Sequence, residues 1–143
     1  MLKKIPPIIK PELMHVLMSM GHGDEIVFAD GNFPAASNAR RLVRMDGHGV
    51  PEVLEAVMQF FPLDTYTSEP AVVMEVVPGD DVEPVIWEEY GEILGRAEDR
   101  EVSLGKMERH EFYSRTREAF AVVATSETAL YANLLLVKGV VAP

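Results

Sequence analysis

The stretch from Met20 to Ala35, M-G-H-G-D-E-I-V-F-A-D-G-N-F-P-A, constrains the fold more than any other. Leu13, Val16, Leu17 and Met20 recur at helical spacing until Gly21, which ends a helix that Pro11 is suited to begin. Ile26 to Ala29 is then an unbroken apolar run, the pattern of a strand covered on both faces. A glycine on each side of His22 permits a sharp turn and leaves the imidazole approachable. Asp30-Gly31 closes the strand, so a titratable group stands at each of its ends. Along an extended chain these two groups are ~20 Å apart, and one site can hold both only if loops fold back or a second subunit contributes.

The rest of the chain alternates between helical and strand patterns. Helices are expected over about 11–20, 51–61, 82–96 and 110–119, with Val85, Ile86, Tyr90 and Leu94 facing the core from the third. Strands are expected at 26–29, 41–45, 71–77, 102–107, 121–125 and 134–137, the segment from Gly31 to Asn38 reading as a loop. With no internal repeat and no linker long enough to separate a second domain, the expected fold is one α/β domain over residues 1–143. It has three layers, with helices on both faces of a mostly parallel sheet. Ligands of such sheets collect beyond the carboxyl ends of the strands, where Asp30, Asp46 and Thr125-Ser126-Glu127 lie.

A chain of 143 residues that is 48% hydrophobic buries a core without staples, and it has no cysteine for disulfides, thiolate nucleophiles or iron-sulfur sites. Its net charge of -10, from 23 acidic against 13 basic residues, argues against nucleic acid and anionic membranes as partners. Prolines 6, 7 and 11 break the apolar N-terminus, and no apolar run has the length of a membrane span. A soluble, cytoplasmic protein is expected.

M-G-H-G-D-E-I, A-D-G-N-F-P and the ending A-F-A-V-V-A-T-S-E-T-A-L-Y-A-N-L-L-L-V-K-G-V occur in this order along the chain. Together they resemble the ribose pyranase and fucose mutarotase family (RbsD/FucU), over almost the whole length. G-H-G-D, F-P-A and R-H-E-F-Y look closer to the fucose branch than to the ribose branch; Ser126 departs from the glycine common in the family's T-G-E turn. The resemblance implies a cofactor-free isomerase that interconverts the α and β anomers of a monosaccharide, L-fucose for this branch. It also implies a homo-oligomeric ring, often a decamer, with sites between neighbouring subunits. Carried over by position, His22 is the catalytic histidine, and Asp30, Arg109, Tyr131 and Asn133 contact the sugar.

These residue types suit the chemistry. Opening a cyclic hemiacetal needs a proton removed from the anomeric hydroxyl and one given to the ring oxygen, with the roles reversed on closure. Histidine, with an ordinary pKa of about 6.5, exchanges protons both ways near neutrality. Asp30 and Arg109 are charged hydroxyl readers, and Tyr131 and Asn133, two apart on an extended segment, would share a face. On spacing alone, Asp30 before glycine reads first as a turn former, Arg109 as a partner of Glu108 or Glu111, and Tyr131 and Asn133 as a strand entry. A ribose pyranase and a non-catalytic sugar-binding module are the alternative readings. A metal-dependent hydrolase is disfavoured, because no H-x-H or H-E-x-x-H pattern is present.

Overall fold

The computed structural model describes residues 1–143. Its elements are α1 (Pro11–Ser19), β1 (Glu25–Ala29), α2 (Ala35–Asn38), β2 (Leu42–Met45), α3 (Val50–Val57), β3 (Ala71–Met74), α4 (Ile86–Glu98), β4 (Gly105–Met107), α5 (Arg109–Glu118), β5 (Ala121–Thr125) and β6 (Leu134–Val137). The six strands form one sheet in the order β2-β5-β1-β6-β3-β4. Five run in one direction; β6, between β1 and β3, is antiparallel to both.

The period of two along the strands divides the core into two layers. Ile26, Phe28, Val43, Met45, Val73, Val123 and Leu134 pack on one face, under Leu13 and Leu17 of α1, Val53 and Leu54 of α3, and Tyr90 and Leu94 of α4. Val27, Ala29, Val72, Val122 and Leu135 pack on the other, under Phe112 of α5 and Phe33 and Ala35 around α2. Both faces of the sheet are therefore covered, which is why its strands read as continuous apolar runs.

Several local expectations are corrected. Residues Ala35–Asn38 form a short helix rather than a loop, and the Asn38 amide closes it on the Pro34 carbonyl at 2.8 Å. The third long helix begins at Ile86, not near residue 82, because Pro84 disfavours helical backbone in the residue before it. Val85 consequently lies outside the helix and is 72% exposed, whereas Tyr90 and Leu94 are buried as expected. β3 ends at Met74 and only the Glu75 N–H continues the pairing, to the Met107 carbonyl; α3 ends at Val57, ahead of Pro62. Tyr131 is not extended: its φ of 56° places it in a left-handed turn, so sharing a face with Asn133 is not what brings the two together. No helix is long and apolar enough to cross a membrane.

Candidate active site

The reversal of β6 decides which residues meet. Phe28 pairs with Leu134, and Glu25 with Val137. The segment entering β6 thus lies at the carboxyl end of β1, beside Asp30, and the segment leaving it lies at the amino end, beside His22. There the Gly23 N–H donates to the Lys138 carbonyl at 2.8 Å, and the Lys138 N–H to the Asp24 carbonyl at 2.8 Å. A parallel β6 would have exchanged the two.

At the amino end, Gly23 supplies the turn with a φ of 86°, a region open mainly to glycine. Gly21 has no positive φ; its N–H donates to the Asp24 carboxylate at 2.7 Å, which closes the loop from the other side. The His22 imidazole is half-exposed, and its Nε2 lies 3.0 Å from Oδ1 of Asp64, whose side chain is only 5% exposed. The Tyr66 ring stands 5.2 Å away, tilted. Burial pushes the Asp64 carboxyl up, but the Thr67 N–H, His22 and the Tyr66 N–H together outweigh it and hold the group below its ordinary value. An ionised Asp64 only accepts, so Nε2 carries the proton of this contact, and Nδ1 is the nitrogen left to take up and return a proton.

At the carboxyl end, Asp30 is 7% exposed. Its Oδ1 accepts from the N–H groups of Asn32 at 3.0 Å and Phe33 at 2.9 Å, and its own N–H donates to the Asn133 amide oxygen at 2.8 Å. Asn133, 2% exposed, is therefore first a brace for Asp30. Burial raises the Asp30 carboxyl above its ordinary value; the N–H groups of Asn32, Phe33 and Ala132 oppose this, and the charge of Glu127 adds to it. Tyr131 accepts the Trp87 indole N–H on its carbonyl at 2.8 Å, while its hydroxyl meets Asp80 and the Val77 N–H. Arg109 pairs with neither Glu108 nor Glu111. Its guanidinium lies over the Tyr113 ring, 5.5 Å from the centroid, and with His110, Glu75, Val77 and Pro78 it lines a cavity of about 140 Å³.

Asp30, Arg109, Tyr131 and Asn133 thus gather at one end of the sheet, and His22 stands at the other, with the five residues of β1 between. No three His, Asp or Glu side chains come together as a metal-binding group. The sequence does not single out Asp64, Tyr66 and Asp80, which lie in polar loops, nor Tyr113, which falls within the helix expected over 110–119. Just the D-T-Y-T turn signal marks the Asp64 loop, and its pairing with His22 spans 42 residues.

Asp30→Asn separates ligand reading from folding. The amide oxygen can keep both N–H bonds, but the charge is lost, and affinity for a hydroxylated ligand is expected to fall about tenfold. Because the folded-state pKa of Asp30 is raised, the wild type loses stability as pH rises through that value, and the variant does not. Thermal unfolding from about pH 4 upward should show the variant gaining on the wild type; a wild type that gains on the variant would show that burial does not raise the Asp30 carboxyl.

The sequence model of the RbsD / FucU transport protein family matches residues 3–141. Human fucose mutarotase is 53% identical over 147 aligned residues, covering 99% of this chain and 95% of that protein. The crystal structure of the fucose mutarotase from Streptococcus pneumoniae in complex with L-fucose superposes with a TM-score of 0.92 at 45% identity, covering 99% of this chain and all of that one. That of FucU from Bifidobacterium longum superposes with a TM-score of 0.93 at 50% identity, covering 96% of this chain and 99% of that one.

Proposed function

Because this chain belongs to the RbsD/FucU family, we propose that it is an L-fucose mutarotase, an isomerase that interconverts the α and β anomers of the sugar. The observation that carries this is identity of about half, over nearly the full length, to proteins that bear that activity in their names. The geometry supplies matching chemistry.

His22 Nδ1 takes the proton of the anomeric hydroxyl as the bond from C1 to the ring oxygen breaks. The ring oxygen receives a proton from a water molecule and becomes the C5 hydroxyl, leaving an open-chain aldehyde, and the proton held by His22 returns to the resulting hydroxide. Rotation about the C1–C2 bond and closure on the other face reverse each transfer. The reaction already runs slowly in water, so the factor of about 10² to 10⁴ given by placed acid-base groups suffices without a metal. Asp30, Arg109, Tyr131 and Asn133 hold the remaining hydroxyls through hydrogen bonds, the charged ones about twice as strong as neutral ones.

A sugar in contact with both halves bridges two copies of the chain, one giving His22 and its neighbour giving Asp30, Arg109, Tyr131 and Asn133. Such a contact joins unlike surfaces, the heterologous kind that forms a ring when its rotation closes. Large apolar side chains are exposed at both ends of the sheet: Tyr66, Val140 and Val141 near His22, and Val77, Val85 and Leu130 near Tyr131. Their burial would supply the contact. The absence of cysteine fits a reducing compartment, and we assign the protein to the cytoplasm.

Magnetisation transfer between the anomeric protons of L-fucose, with catalytic protein and excess chelator, tests the activity. Faster exchange that chelator leaves unchanged is expected, with D-ribose responding weakly. Fucose binding without faster exchange would instead mark a sugar-binding module, and activity lost to chelator would overturn the metal-free route.

A further inference from the structure

Tyr131 is held more firmly than its place in a surface turn requires. Its φ of 56° is a conformation that residues with a Cβ rarely adopt, so it persists only where surrounding contacts impose it. Three contacts do so here. The Trp87 indole fixes the Tyr131 carbonyl, the Val77 N–H donates to the phenolic oxygen at 3.3 Å, and the phenolic proton goes to Oδ2 of Asp80 at 2.5 Å. Val77 and Asp80 belong to one turn, closed by the Asp80 N–H on the Val77 carbonyl at 3.0 Å. Val77 also lines the cavity that Arg109 and His110 share.

A phenol has one proton and two acceptor lone pairs. Asp80 takes the proton and the Val77 N–H takes one lone pair, which leaves a single acceptor site for a ligand. We propose that Asp80 is a positioning residue of the sugar site: by holding the Tyr131 proton, it makes Tyr131 a hydrogen-bond acceptor that reads a hydroxyl donated by the sugar. This rests on the assignment of Tyr131 as a sugar contact and goes beyond it. A charged acceptor on the phenolic proton polarises the oxygen and strengthens the bond it accepts in turn. With its proton committed to Asp80, Tyr131 has none to give the sugar's ring oxygen, so neither proton transfer passes through it and Asp80 affects binding rather than turnover.

Asp80→Ala, Asp80→Asn, Tyr131→Phe and the double variant Asp80→Ala/Tyr131→Phe, compared by anomer exchange across a range of L-fucose concentrations, test this. Asp80→Ala is expected to raise KM about tenfold while kcat stays within about twofold, and Asp80→Asn, which keeps a neutral acceptor, to fall between it and wild type. Tyr131→Phe should raise KM at least as far, and the double variant should be no worse than Tyr131→Phe, because two residues acting through one bond are not additive. An Asp80→Ala enzyme with wild-type KM beside an impaired Tyr131→Phe overturns the role of Asp80 and leaves Tyr131 as a sugar contact. So do effects that add in the double variant. A Tyr131→Phe enzyme with unchanged KM overturns both.

Discussion

Replacing His22 with alanine is expected to slow α to β exchange of L-fucose by about 10² to 10⁴, with the fold retained. The imidazole is half-exposed and packs into neither core layer, so its removal opens no cavity. What it removes is a base with a fixed direction. Asp64 is buried, its carboxyl is held below its ordinary pKa and it is anchored by the Thr67 N–H at 2.9 Å, so it presents an ionised oxygen to Nε2 and leaves Nδ1 free of protein partners. Sugar affinity should change much less than turnover, because the hydroxyl readers lie at the other end of the strand. Anomer-exchange NMR and fucose binding by calorimetry separate the two. Loss of binding at unchanged turnover, or exchange within about twofold of wild type, would remove His22 from the acid-base role.

Much of this was legible in the sequence. Ile26 to Ala29 and Leu134 to Val137 read as strands because both sides of the sheet are covered, and His22 and Asp30 were separable to opposite ends of β1 by counting residues. That the two serve one site is what the resemblance implies, since no local pattern links them. The direction of β6 was not legible, because a run of leucines carries no sign for strand direction. That direction is what places Asn133 against Asp30. Asp64 and Asp80 escape a reading of the sequence for a related reason. Each lies in a polar loop whose local signal says only turn, and each acquires its role from a partner far along the chain, His22 and Tyr131 respectively. The Tyr131 turn reads as extended because a left-handed tyrosine depends on the Trp87 and Asp80 contacts, which propensity does not encode.

The proposed division of the site between two copies of the chain carries the largest expected effect after His22. A His22→Ala chain keeps an intact reading half, and a chain carrying Asp30→Asn with Arg109→Met keeps an intact His22 half. Each assembly alone has no complete site. In a mixed ring assembled from equal amounts of the two, about one contact in four joins an intact His22 half to an intact reading half. The deciding measurement is exchange of L-fucose anomers, at sugar concentrations well below the wild-type KM, by the two variants co-expressed with different tags and purified through both. A site shared between subunits gives about a quarter of wild-type exchange, far above either variant alone; a doubly tagged, mixed assembly no more active than its separate parents rules such a site out.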